Sequence, residues 1–442
     1  MRFMGFDVDT LEILNPKLKP MKKGKQSNSA LFSYYAGFSE EFTLNLLEQL
    51  TYKNKQSTIF DPWNGSGTTT FSAYKLGQNA IGNDLNPVML IIAKARLINI
   101  LDLSSLDAIC NTIFHNSSRD KNHIPYESDP LKTWFSEKSC TLIRKIENSI
   151  NKNFISFNSY SSLTENSSLN KLSTIGAFVY VVLFKTIKTL LKAFIPSNPT
   201  WVKKPKNEEE KLEVSYSYIK NTFFSLLDDT VKSHVFNDSL NTDANVNFHL
   251  NSSTSLSQTN QSVDIILTSP PYCTRIDYAI ATSIELATIR VTDIRSLREK
   301  LIGTSTVKKK IMTPNPLWGE TCNTFLRNVQ DHTSIASSTY YYKNHLQYFD
   351  DIYKSIEQIS RILKLNGLFI SVVQNSFYKE INNDLAKTLS EMSKNCGLDL
   401  IREDHFETKT NMSYINSKSN RYISKKQISE SVLIFKNIGN IQ

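Results

Sequence analysis

Thr58-Ile-Phe-Asp-Pro-Trp-Asn-Gly-Ser-Gly-Thr-Thr-Thr70 is the stretch on which the fold turns. Its apolar residues up to Phe60 predict a short strand. Gly65 and Gly67 predict a tight turn, where a residue without a Cβ lets the backbone come close to a ligand. A helix is expected from about Thr68 to Leu76, stopped by Gly77 as its C-cap. Asn79 to Gly82 reads as a second strand ending at Asp84, and Asn86-Pro87 opens a further helix to about Asn99. Strand, glycine turn, helix, strand, acid is the βαβ arrangement that binds nucleotides, with the acid placed to accept both hydroxyls of a ribose. A tight turn with Asp84 as a helix cap is the plainer reading of the same residues.

A second stretch, Ser262-Val-Asp-Ile-Ile-Leu-Thr-Ser-Pro-Pro-Tyr272, works with the first. Val263 to Leu267 reads as a buried strand. It must stop at Ser269-Pro270-Pro271-Tyr272, because each proline lacks an N–H and has a fixed φ. Carbonyls there lose their ladder partners, and a ring follows at once. Acceptors beside a ring form a receptor for a flat group bearing an amino function, and a nucleobase fits. A Pro-Pro loop capped by a packing tyrosine would be written the same way.

The remaining chain sets these two stretches in a large soluble protein. Its 442 residues allow one large domain with insertions or two to three domains, and the net charge of +9 favours a polyanionic partner. Five scattered cysteines with no Cys-x-x-Cys pair argue against a zinc site or a disulfide framework and suit a reducing cytosol. No apolar stretch is long enough to span a bilayer, and the lysine-rich opening is no signal peptide, so a cytoplasmic protein is expected.

In chain order, residues 1–28 form a basic, poorly ordered lead-in, and residues 29–104 the cofactor-binding half. Ser39 reads as the N-cap of a helix over Glu40 to Leu50. Residues 105–243 form a mainly helical insertion, with helices expected over Leu106 to Phe114, Leu131 to Ile150, Leu172 to Ile195 and Glu208 to Leu227. Within it, Trp201, Lys203 and Lys204 lie in a loop suited to nucleic-acid backbone and base stacking, and equally to a solvated loop with a packing tryptophan. Residues 244–286 carry two strands, the Pro-Pro motif and a helix over Ile280 to Ile289. Residues 287–339 form an irregular insertion. Residues 340–442 complete the core with a long helix over Tyr340 to Leu363, a turn at Asn366-Gly367, and strands over Leu368 to Val373, Leu398 to Arg402 and Ser431 to Phe435. A basic loop with Lys418, Arg421, Lys425 and Lys426 separates the last two strands.

With both motifs in place, the chain resembles the DNA amino-methyltransferases, which use S-adenosyl-L-methionine. Asp61-Pro-Trp-Asn-Gly-Ser-Gly-Thr-Thr69 is similar to that family's cofactor motif, Thr268-Ser-Pro-Pro-Tyr272 to its catalytic motif, and Phe32-Ser-Tyr-Tyr-Ala-Gly-Phe-Ser39 to the segment that closes over the methionine end of the cofactor. Trp63 replaces the usual phenylalanine, and Asn251 stands where an aspartate often contacts the adenine. The resemblance implies a Rossmann-like α/β core: a seven-stranded, mostly parallel sheet with helices on both faces, interrupted by helical insertions. It implies a cofactor site of Tyr35, Phe38, Asp61, Pro62, Trp63, Gly65, Ser66, Gly67, Thr68, Thr69, Asp84, Leu85, Asn86, Asn251 and Thr268. No metal is required.

The same resemblance implies double-stranded DNA as partner and, by analogy alone, a companion restriction endonuclease or defence-system subunit. The insertion over 105–243 is where one subgroup carries its target-recognition region. A serine-first motif is most often linked to cytosine N4 and an aspartate-first motif to adenine N6. Transfer-RNA guanine-N2 methyltransferases share the order of motifs, but they carry a sizeable RNA-binding domain ahead of the core, and the sixty residues ahead of Asp61 leave little room for one. Ser269, Pro270, Pro271 and Tyr272 are the expected catalytic residues. Acceptors at Ser269 and Pro270 draw the amine nitrogen towards tetrahedral geometry, and Tyr272 stacks on a base flipped from the duplex. Arg275, Asp277 and Tyr278 either line the base pocket or pair internally. Cys273, following the tyrosine, is expected to be a packing thiol.

Overall fold

The computed structural model describes residues 2–3, 6–16, 31–32, 37–52, 56–120, 125–196, 201–233, 243–273, 277–308, 312–408 and 428–439. Alternating apolar runs build a central sheet from β1 (Thr58–Asp61), β2 (Asn79–Asp84), β3 (Val246–Leu250), β4 (Val263–Thr268), β5 (Leu363–Gln374), β6 (Leu398–Thr408) and β7 (Ile428–Asn437). Among the described residues these seven strands lie in the order β6-β7-β5-β4-β1-β2-β3. Strands β3, β2, β1, β4 and β5 run parallel, and β7 is antiparallel to both of its neighbours. The Rossmann-like core expected from the sequence is therefore present.

The period of two along each strand sorts its side chains between two covers. Ile59, Ile265, Leu267, Ile370 and Val372 face a core closed by α1 (Glu40–Thr51) and Ala73 of α2 (Thr68–Lys75). Phe60, Ile266, Phe369 and Val373 face a core closed by α9 (Glu320–Asp331), α10 (Tyr342–Ile362) and α11 (Leu385–Asn395). A third core joins α3 (Pro87–Ala95) to the insertion helices α4 (Leu106–Arg119), α5 (Glu137–Phe154), α6 (Thr174–Leu190) and α7 (Tyr216–Ser233), and to α8 (Ser283–Thr288). The apolar run of α6 is thus buried in protein, and no helix among the described residues is long and apolar enough to cross a membrane.

Several local expectations change. Ser39 occupies the N-cap of α1, but its side chain makes no capping bond; its carbonyl instead accepts from the Thr43 hydroxyl at 2.9 Å. The lead-in is ordered over residues 6–16, where Val8 and Leu11 enter the core and Arg402 donates to their carbonyls at 2.8 and 2.9 Å. The stretch expected to be irregular holds Ile294–Lys300, capped by the Asp293 carboxylate, and α9. The helix expected over 280–289 is split into Tyr278–Ala281 and α8. The turn at Asn366 is a left-handed residue (φ 63°) inside a continuous β5. The basic loop around Lys418 to Lys426 lies outside the described residues.

Candidate active site

Four parallel strands end side by side, and their ends are stitched together. The Thr268 hydroxyl, at the end of β4, donates to Asp61 Oδ1 at the end of β1, 2.5 Å away. The Thr69 hydroxyl, in the first turn of α2, donates to the Leu267 carbonyl at 3.0 Å. Asn83 Nδ2 on β2 donates to the carbonyls of Pro62 and Asn251, at 3.2 and 3.0 Å. The Asn251 N–H, just past β3, donates to the Asp84 carbonyl at 3.1 Å. The glycine turn and the Pro-Pro loop, 198 residues apart in the chain at the Thr69–Leu267 bond, are neighbours across one line of strand ends.

The turn after β1 is built by the asparagines and glycines. Gly65 and Gly67 have φ of +49° and +83°. A Cβ on Gly67 would lie 2.6 Å from the Ala93 Cβ, so glycine also allows α2 to close on α3. Asn64 holds the turn's shape: its N–H donates to the Asn83 carbonyl at 2.9 Å and its Oδ1 accepts from the Thr70 hydroxyl at 3.0 Å. Arg96, at the end of α3, clamps the turn from outside. It donates to the Ser66 carbonyl at 3.3 Å, reaches Thr68 Oγ1 at 3.5 Å and pairs with Glu40 at 2.7 Å. Its guanidinium lies 4.6 Å above the Phe71 ring, an arrangement that holds a desolvated cation well.

Two carboxylates meet at this line. Burial pushes the Asp61 carboxyl up to about 6, against the pull of hydrogen bonds from Thr268 and the Trp63 N–H. Asp61 therefore serves as a knot between the ends of β1 and β4. Burial likewise pushes Asp84 up to about 6, against the backbone N–H groups of Asn86, Gly65 and Leu85. The Gly65 and Asn86 bonds measure 2.9 and 2.8 Å and fall on different oxygens. A carboxylate has about four acceptor directions, so these two bonds leave one on each oxygen for ligand hydroxyls. Asn86 caps α3 through Val88 N–H at 3.1 Å and donates to Thr282 at 2.9 Å. The Asn251 side chain is engaged locally, donating to the Ser255 carbonyl and accepting from the Ser252 N–H, both at 2.8 Å. Phe38 is buried edge-to-face on Phe42, 5.9 Å between centroids, in the core beneath α1. Tyr35 lies outside the described residues.

Past β4, Ser269 donates to the Tyr272 hydroxyl at 3.4 Å, and Tyr272 donates to Glu430 of β7 at 3.1 Å. Burial, then the Glu430 charge, push the Tyr272 phenol well above its ordinary value, so it stays neutral. The Pro271 carbonyl is not spare: it accepts from the Tyr348 hydroxyl at 2.9 Å. Asp277 pairs internally, capping its short helix at Ile280 N–H (3.1 Å) and meeting Arg298 at 2.6 Å. Tyr278 is half-buried at the start of that helix, Cys273 packs against the second core, and Arg275 lies outside the described residues. Trp201, Lys203 and Lys204 are exposed. The two backbone ties of Lys203, to Trp134 and Phe194, are both within the insertion.

Sequence reasoning missed Arg96, Tyr348 and Glu430. None sits in a local motif; each reaches the site from a separate element.

No protein-family model matches the chain. Over 326 residues, 66% of its length, it is 27% identical to the type II methyltransferase M.BsoBI of Geobacillus stearothermophilus, and the chain spans 59% of that relative. Solved structures with a likeness include geranyl diphosphate C-methyltransferase of Streptomyces coelicolor A3(2), at 8% identity and TM-score 0.31 over 98% of this chain and 94% of that one. The rRNA methyltransferase AviRa of Streptomyces viridochromogenes is at 8% identity and TM-score 0.29 over 92% and 89%. Likeness at that level says nothing about what this chain does.

Proposed function

We propose that this chain is an S-adenosyl-L-methionine-dependent DNA methyltransferase acting on an exocyclic amino group, cytosine N4 before adenine N6. The observation that carries the reading is the bonded line of strand ends, with a glycine turn and an acid on one side and a Ser-Pro-Pro-Tyr loop on the other. The identity to a type II methyltransferase supports it from the sequence side.

The residues around the turn fit such a cofactor. Asp84 keeps an acceptor direction for a ribose hydroxyl, and among the described residues the buried Trp63 Nε1 has no hydrogen-bond partner. The glycine turn and Trp63 would hold the methionine portion, and Asp84 and Leu85 the nucleoside. When bound, the cofactor supplies an activated methyl group. The chain's own contribution is positioning. Ser269 and the Pro270 carbonyl orient the amine, and Tyr272 offers a ring to the extruded base. Orientation of this kind contributes roughly 7–11 kcal/mol to a barrier. Flipping costs a few kcal/mol, and a base–aromatic stack returns about 1–3, so contacts from DNA to basic residues complete the balance.

The test is transfer of a labelled methyl group to DNA and RNA, followed by digestion to nucleosides. Label in N4-methylcytosine is expected. Label in N6-methyladenine moves the assignment to adenine, and label only in RNA replaces it with an RNA enzyme. Tyr272→Ala should abolish transfer with cofactor binding kept; retained transfer removes this loop as the site. A companion endonuclease or defence subunit, and a role in restriction–modification, belong to this reading as well.

A further inference from the structure

We infer that Glu430 is a positioning residue that fixes the direction of the hydrogen-bond chain through Tyr272, so that Ser269 shows the target base an acceptor and never a proton. The inference rests on the methyltransferase reading above and names what that site selects: amino-bearing bases over keto-bearing ones.

The physical argument starts from the far end of the chain. Glu430 lies near the start of β7, opposite Gln374 at the end of β5 and Phe406 of β6, with 6% of its surface exposed. Because β7 is antiparallel, its start falls at the carboxyl ends of the parallel strands, beside the Pro-Pro loop. Asn375 pins that start by accepting from the Ser429 N–H at 3.0 Å. An ionised carboxylate only accepts hydrogen bonds. The Tyr272 hydroxyl donates its one proton to Glu430 Oε1, 3.1 Å away. A phenol has one proton, so towards Ser269, 3.4 Å away, Tyr272 offers only a lone pair. Ser269 in turn gives its single proton to Tyr272. What remains on the Ser269 oxygen is acceptor capacity, facing away from Tyr272.

An exocyclic amine brings two hydrogens and needs acceptors. A keto oxygen at the same position needs a donor and would meet a lone pair. Leaving that mismatch buried disfavours thymine against cytosine, or guanine against adenine, without any clash of shape. Glu430 reaches neither base nor cofactor in this scheme; it acts through Tyr272. Its replacement by glutamine allows the amide to donate to the phenol oxygen, and the chain can then run backwards and turn a Ser269 proton towards the base.

A double-mutant cycle on the full chain tests this, with kcat and KM measured on duplex DNA and cofactor affinity by calorimetry. Glu430→Gln and Tyr272→Phe should each lower kcat about ten- to hundredfold, the scale of one hydrogen bond to a charged group, with KM and cofactor Kd within about twofold. The double variant should be no slower than Tyr272→Phe, because the chain is already cut there. Wild-type kcat in Glu430→Gln, or losses that multiply in the double variant, overturns the inference and leaves the methyltransferase reading standing. Absence of transfer by the wild type to any nucleic acid removes both. Should Glu430→Gln fail to bind cofactor through misfolding, the same cycle run on Ser269→Ala and Tyr272→Phe decides: non-additive losses support the chain and multiplying losses refute it.

Discussion

Asp84 shows how one side chain is asked to serve both the fold and a ligand. Its carboxylate holds the glycine turn through Gly65 and the start of α3 through Asn86, and on the proposed reading its remaining acceptor directions would take ribose hydroxyls. Asp84→Asn should weaken S-adenosylmethionine binding at least tenfold by calorimetry; an unchanged Kd would clear Asp84 of cofactor contact. The pH dependence follows from the raised carboxyls. Asp61 and Asp84 are held at about 6 by burial, against 3.8 for the ordinary value. The native chain therefore keeps these protons where the unfolded chain has lost them. Between about pH 4 and 6 each group lowers stability as pH rises, by on the order of 3 kcal/mol apiece and about 6 for the two together. The wild-type Tm without cofactor should fall across that window, and the fall should be shallower in Asp84→Asn. Cofactor affinity should rise through the same window, as the carboxylate ionises. A Tm profile identical in the variant would show that Asp84 titrates near its ordinary value.

Elements were legible in the sequence where their signals are local. The glycine turn, α2 ended by Gly77, and the Pro-Pro stop after β4 are each written within a dozen residues, and each appears in the structure as read. Strands β6 and β7 run several residues beyond their apolar runs, because each supplies the other's ladder over ten paired positions, and polar residues such as Glu403 and Ser429 are carried along. Helix α9 is preceded by Gly319 as its N-cap, at a positive φ (86°), and its first turn is tied to Glu391 of α11, which accepts from the Thr321 N–H at 2.9 Å, a contact no local pattern announces. The site divides in the same way. Asp61 to Thr69 and Thr268 to Tyr272 are contiguous motifs, whereas Glu430 is 158 residues from Tyr272 and Tyr348 is 77 from Pro271. Buried ion pairs between elements were equally hidden. Arg144 of α5 makes a bidentate pair with Asp129, at 2.9 and 2.8 Å, and donates to the Ala287 and Thr288 carbonyls at the end of α8, at 2.7 and 2.6 Å. Arg144→Met leaves Asp129 buried and unpaired, and should cost about 3–5 kcal/mol in urea unfolding. Adding Asp129→Leu should recover part of that loss. A single variant as stable as the wild type would mean that the pair is broken or solvated in solution.

At the scale of the whole molecule, the proposed methyltransferase reading makes the insertion the body that would meet nucleic acid. Helices α4 to α7 share one core with α3 and with α8, so the insertion is seated on the half of the sheet that carries the glycine turn. Arg144 and Arg290 continue that seat with charge: Arg290 pairs with the fully buried Glu147 of α5 at 2.6 Å and lies 3.5 Å over the Tyr160 ring. A polyanion gripped by the insertion would thus be held by a body bonded to the segment just beyond the Pro-Pro-Tyr loop. The exposed Trp201, Lys203 and Lys204 offer cations and a ring on that body, and the net charge of +9 gives the chain the right sign. If they grip phosphates, log affinity for duplex DNA should fall linearly with log salt, by about 0.9 for each phosphate contacted. Replacing Lys203 and Lys204 together by alanine should lower that slope by about 2 and weaken binding to all sequences alike, because phosphate contacts carry no sequence information. Fluorescence anisotropy across a salt series measures both. A slope unchanged in the double variant would place the phosphate contacts on other basic residues. Loss of one sequence preference with the slope intact would mean instead that this loop reads bases.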